Sequence, residues 1–87
     1  MPVDVTAARR RSRAHLGRCL EAARSHARLS QDAVAVALGV SRKTIGNWEA
    51  GKREPLLTDA LALADLYGVK LAELAGRERL PVPPAPS

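Results

Sequence analysis

The chain has 87 residues, a net charge of +5 and 46% hydrophobic residues, with no Phe and only one Trp and one Tyr. That length suits one small domain. A single cysteine, Cys19, rules out an intrachain disulfide, and without a second Cys or a His pair no metal or other cofactor is expected.

The excess charge is unevenly placed. Residues 1–30 hold seven arginines against Asp4 and Glu21, which accounts for the whole +5; residues 31–87 are balanced. A single-signed arm beside a neutral domain points to a polyanion such as nucleic acid. No apolar run approaches the roughly 18–20 residues of a membrane-spanning helix. The opening MPVDVTAARRR lacks the apolar core of a secretion signal, so a cytoplasmic location is expected.

Leu, Val, Ile and Ala at helical spacing predict an all-α fold. Met1–Thr6 reads as loose, with Thr6 or Asp4 available as a cap. Arg9–Arg13 is either a helical extension or a frayed arm, so residues 1–13 are set apart. From Ala14 the pattern firms: Leu16, Leu20, Ala23 and Ala27 share one face, and the helix ends near Ala27. A second helix is expected over 31–38, capped by Ser30 and stopped by Gly39, with Val34, Ala35 and Leu38 inward. A third is expected from Arg42 to Ala50, capped by Ser41 and stopped by Gly51, with Ile45 and Trp48 inward. Lys52–Pro55 is a polar loop closed by proline. Thr58 is the expected cap of a fourth helix, carrying Leu61, Leu63, Ala64 and Leu66 and stopped by Gly68. A short fifth helix, about 71–75, buries Leu71 and Leu74, with Val69 between. Residues 77–87, ending in PVPPAPS, read as a Pro-rich disordered tail. The folded domain is thus expected over 14–76.

The third helix opens on Arg42 and Lys43, although a helix N-terminus favours anions. A locally poor choice on an exposed turn suggests a task outside the fold. Arg42, Lys43, Thr44, Gly46 and Asn47 form the polar face of this helix. Arg42 and Lys43 suit the O6 and N7 acceptors of guanine, Asn47 suits adenine, and Thr44 suits a thymine methyl. Ser30 and Gln31 stand at the N-terminus of the second helix, where backbone N–H groups make a phosphate seat. Ser41, Lys52 and Arg53 are the further candidate phosphate contacts.

The stretch LSQDAVAVALGVSRKTIGNWEAGKREP (29–55), followed by LALADLYGVKLAEL (61–74), resembles the phage repressor and Cro type of helix-turn-helix domain (XRE-like). The resemblance spans roughly residues 16–76. It implies a compact, five-helix, lambda-repressor-like domain that binds double-stranded DNA, usually as a homodimer on paired half-sites. It also implies that Glu49 is a buried acid and Arg24 its partner, an ion pair tying the first helix to the recognition helix, with Trp48 in the core. Three positions depart from the pattern. Ala23 and Val34 replace larger aliphatics, and Gly46 costs its helix about 1 kcal/mol relative to Ala.

A second reading is an antitoxin-like or adaptor protein whose main ligand is another protein, docked on the tail or the first helix. An enzyme is not expected. His15 and Cys19 are four residues apart, but no orienting acid or oxyanion donor accompanies them. Within 29–55, Arg42, Lys43, Lys52 and Arg53 are offset by Asp32, Glu49 and Glu54, leaving +1. That stretch is therefore expected to supply selectivity, and the arginines before it the attraction.

Overall fold

The structure is a computed structural model and describes residues 4–76; residues 1–3 and the expected tail, 77–87, lie outside the described residues. The described residues form five helices and no strand: α1 Thr6–His26, α2 Gln31–Leu38, α3 Arg42–Glu49, α4 Leu57–Tyr67 and α5 Leu71–Leu74.

α1 takes in the whole Arg9–Arg13 segment, because Ala7, Ala8 and the arginines are good helix formers. Val5 occupies the cap position and cannot cap through its side chain. Asp4 acts in its place, its carboxylate accepting the Thr6 N–H at 2.9 Å. α2 and α3 begin on the two expected serines. Ser30 Oγ accepts from the Ala33 N–H at 3.0 Å, and Ser41 Oγ from the Thr44 N–H at 3.1 Å. Each hydroxyl satisfies one donor that the first turn leaves orphaned.

α1 to α4 all end through the same backbone exchange at a left-handed residue, which is the cap itself in α2 (Gly39) and α4 (Gly68) and the residue after the cap in α1 and α3 (Gly51). After α1 that residue is Arg28, at φ 61°, with the Leu29 N–H donating to the Arg24 carbonyl at 3.1 Å. A non-glycine residue accepts this strain only where the chain around it is held.

Leu20, Val34, Ile45, Leu63 and Leu74 fill the centre of the core, with Trp48 and Tyr67 at its edge. α1 packs chiefly on α3, and α5 closes against α1 and α4. The approach of α1 to α3 is set by Gly17. A Cβ there would lie 2.8 Å from the Trp48 carbonyl oxygen and closer still to that of Glu49.

Several expectations need correction. Thr58 does not cap α4. The helix starts earlier, with Leu56 at the cap and the Asp59 carboxylate accepting the Leu56 N–H at 3.3 Å. Leu61 and Leu66 do not face inward; they are exposed. The buried set is Ala60, Leu63, Ala64 and Tyr67, which follows the i, i+3, i+4, i+7 rule that Leu61 and Leu66 break. Leu71 is only half-buried, whereas Leu38 packs inward against the core as expected, and α3 stops at Glu49, with Ala50 as its cap. Cys19 is half-buried, with Sγ 3.7 Å from His15 Nε2.

Gly17→Ala is expected to push α1 off α3 and lower unfolding stability by about 1–3 kcal/mol. Thermal unfolding measures it; an unchanged Tm would mean that the helix pair slides apart at no cost.

Candidate nucleic-acid interface

The interface is built on an ion pair beneath it. Arg24 Nε donates to Glu49 Oε2 at 2.7 Å and Nη2 to Oε1 at 3.1 Å, a bidentate geometry. The third guanidinium nitrogen, Nη1, donates to the Leu29 carbonyl at 2.8 Å. The Gln31 amide adds a bond to Glu49 Oε1 at 3.0 Å. Side-chain exposure is 15% for Arg24 and 5% for Glu49. One carboxylate thus gathers α1, the first residue of α2 and the last residue of α3. The hydrogen bond to Glu49 is the main cause that raises the Arg24 pKa above its ordinary value.

Tyr67 lies in the same electrostatic neighbourhood. Burial pushes its phenol up to about 12, and the Glu49 carboxylate adds to the rise while Arg24 opposes it.

α3 is held by its inner face, where Ile45, Trp48 and Glu49 are all buried. That fixes the direction of the outer face. Arg42 and Lys43 are exposed at its first turn, and Thr44, Gly46 and Asn47 are half-buried along it. A Cβ at Gly46 would meet nothing within 4 Å, so packing does not demand glycine there. The Ser41 and Thr44 hydroxyls lie 2.9 Å apart and form a hydrogen bond. Thr44, Asn47, Arg53 and Glu54 line one open cleft.

The loop after α3 folds back onto it: the Lys52 and Arg53 N–H groups donate to the Asn47 carbonyl at 2.9 and 3.3 Å. Both side chains are exposed. Ser30 is exposed at the cap of α2, and the amide of the next residue, Gln31, is turned to Glu49. The structure therefore brings Arg42, Lys43, Thr44 and Asn47 together on one short helix, with Ser41 at its start and Lys52 and Arg53 beyond its end.

Sequence reasoning missed four partners. Asp32 pairs with Arg42 across the turn at 3.8 Å, both side chains well exposed. Such a pair is worth at most about 1 kcal/mol and lets Arg42 swing away. Glu54 meets Arg9 at 3.7 Å. Gln31 serves the Glu49 carboxylate. Gly17 sets the helix approach, and its signal was a lone glycine inside a helical apolar stripe.

With the geometry in place, comparison with known proteins identifies the architecture. The helix-turn-helix domain family matches residues 15–76. The chain belongs to this family. Over 46 residues it is 44% identical to an uncharacterised HTH-type transcriptional regulator of Methanocaldococcus jannaschii, covering 53% of this chain and 70% of that protein. It is also similar to the crystal structure of the restriction-modification controller protein C.AhdI from Aeromonas hydrophila, with a TM-score of 0.65 and 31% identity over 70% of this chain and 92% of that one. α2 and α3 are accordingly the two helices of the helix-turn-helix, and Gly39–Ser41 the turn between them. Among the described residues no helix is long and apolar enough to cross a membrane.

Breaking the pair from either side strands a buried charge. Glu49→Gln and Arg24→Met are each expected to cost about 3–5 kcal/mol in urea unfolding. Midpoints unchanged in both would show that the pair is idle.

The folded phenol of Tyr67 holds its proton more tightly than the unfolded one. Its contribution is full below the unfolded value of 10.0 and is lost as pH rises toward about 12. Ultraviolet titration of this one tyrosine should show the raised midpoint, with stability falling across that window. A phenol titrating at its ordinary value would refute it.

Proposed function

We propose that this helix-turn-helix protein is a transcriptional regulator that binds double-stranded DNA sequence-specifically, with α3 in the major groove. The observation that carries the reading is the division of α3. Its inner face is pinned by Ile45, Trp48 and the buried Glu49, so its outer face presents Arg42, Lys43, Thr44 and Asn47 in a fixed orientation. A major groove about 12 Å wide admits such a helix.

Arg42 and Lys43 read guanine, Asn47 reads adenine, and Thr44 contacts a thymine methyl. The bare Gly46 lets the helix backbone sit close to the base edges. Ser30 and Ser41 meet phosphates at the starts of α2 and α3, where capped helix ends leave N–H groups directed outward. Gln31 adds its backbone N–H there, while its side chain holds Glu49 in place. Lys52 and Arg53 grip the sugar-phosphate backbone beyond α3.

The site of action is cytoplasmic DNA, and the assembly is a homodimer. The exposed Leu56, Leu57 and Leu61 at the start of α4 support a surface for a second copy. Paired half-sites would then lie about one helical turn, roughly 34–36 Å, apart. The same leucines also support the second reading, an adaptor that captures another protein while bound to DNA. Catalysis has no part in either reading.

Selection of bound sites from random duplex, followed by footprinting, tests the proposal. Arg42→Ala and Asn47→Ala should each erase preference at one base position, worth about 1–3 kcal/mol of discrimination. Uniform weakening across all sequences would reassign them to phosphate, and absence of duplex binding at low salt would defeat the proposal.

A further inference from the structure

α1 carries one continuous stripe with two different halves. Thr6, Arg9, Arg10, Arg13, Gly17, Leu20 and Arg24 follow one another at i, i+3, i+4, i+7, i+11, i+14 and i+18, one face of a single helix. The C-terminal half of the stripe is the face that packs onto α3, through Gly17, Leu20 and Arg24. The N-terminal half points the same way but has run out of domain to cover. Ala14 lies against Gly51, where a Cβ would come 3.0 Å from its Cα. One helical step further out, Arg9 reaches Glu54 of the same loop. Beyond these contacts the stripe faces solvent, and Thr6, Arg9, Arg10 and Arg13 line a shallow groove.

This charge is poorly compensated. The first turn of α1 contains no acidic residue, so the arginines stand at the positive end of the helix dipole. Their spacing also sets like charges beside each other, which is unfavourable. The ion pair on its N-terminal half, Arg9–Glu54, is 3.7 Å long with side chains 72% and 57% exposed. Arg13 Nε is enclosed yet meets no acceptor among the described residues. Such an arrangement is relieved by an anion laid along the groove.

The geometry points to a helical clamp: we propose that Arg9, Arg10 and Arg13 grip the phosphate backbone of duplex DNA beside the loop that follows α3. The inference rests on the major-groove reading above. Position links the two, because Glu54 both lines the cleft beside Asn47 and meets Arg9. The stripe therefore continues the surface that runs from α3 through Lys52 and Arg53. The family match begins at residue 15, so Thr6–Ala14 lies before the matched region. A membrane surface suits the overhang less well: Thr6–Arg13 offers no large apolar side chain to enter a bilayer.

The test is duplex binding by the full chain across a salt series. One variant, Arg9→Gln with Arg10→Gln and Arg13→Gln, removes the stripe. A second, Arg11→Gln with Arg18→Gln and Arg28→Gln, removes equal charge from elsewhere on and just after α1. Circular dichroism checks that both retain their helix. The slope of log affinity against log salt should shrink by about two to three in the stripe variant and by less than about one in the other. Lysine at the three stripe positions should restore it. Hydroxyl-radical footprints should lose protected sugars outside the α3 contact only in the stripe variant. Equal slopes in the two glutamine variants would reduce the effect to bulk charge and overturn the clamp, as would an unchanged slope in the stripe variant. Failure of the wild-type chain to bind any duplex would overturn the major-groove reading and the clamp with it.

Discussion

The fold hangs on the carboxylate of Glu49. It is the last residue of α3, it is buried, and three hydrogen bonds from Arg24 and Gln31 converge on it. Burying an ion pair is seldom a gain over a well-packed apolar contact. What it provides is direction, since a bidentate guanidinium–carboxylate pair tolerates little rotation. With Glu49 fixed, the inner face of α3 is set, and its outer face cannot turn away. Arg24 also holds the Leu29 carbonyl, so the same side chain that orients α3 ties down the turn before α2.

Gly17 is the steric counterpart of that pair. The bonds from Arg24 to Glu49 form only if α1 lies close enough to reach α3, and a side chain at residue 17 would collide with the last carbonyls of α3. Those carbonyls carry the negative end of the α3 dipole. α1 brings Arg24 to the neighbouring carboxylate on the same face. Close approach and charge pairing are therefore one device, with the buried Leu20 between the two along α1.

The two ends of α1 do different work. Toward its C-terminus, charge is buried, paired and directed inward. Toward its N-terminus, the same face carries cations with little to answer them, above a loop that already bears Lys52 and Arg53. The stretch 29–55 sums to only +1, so on the proposed reading selectivity and attraction fall to different residues. Long-range attraction needs net charge but no exact geometry. Reading a base edge needs geometry and little net charge. The split lets each requirement be met without disturbing the other.

Local chemistry was legible in the amino-acid order. Ser30, Ser41, Gly39, Gly51 and Gly68 mark helix ends because capping and left-handed turns depend on a few consecutive residues. The apolar spacing placed Val34, Ile45, Trp48 and Leu63 inside for the same reason. α4 was less legible. Its start depends on Asp59 reaching back to Leu56, and a leucine gives no sign of being a cap. Leucine content alone does not mark its inner face, because the helix phase puts Ala60 and Tyr67 inside and leaves Leu61 and Leu66 exposed. The Arg24–Glu49 pairing came through family resemblance, since nothing local joins residues 25 apart. Tertiary structure alone decided the role of Gly17, the turning of Gln31 to Glu49, the Asp32–Arg42 and Arg9–Glu54 contacts, and the overhang of α1 beside the loop after α3. Each depends on how closely and at what angle two helices cross, and that is settled by packing between segments distant in the chain.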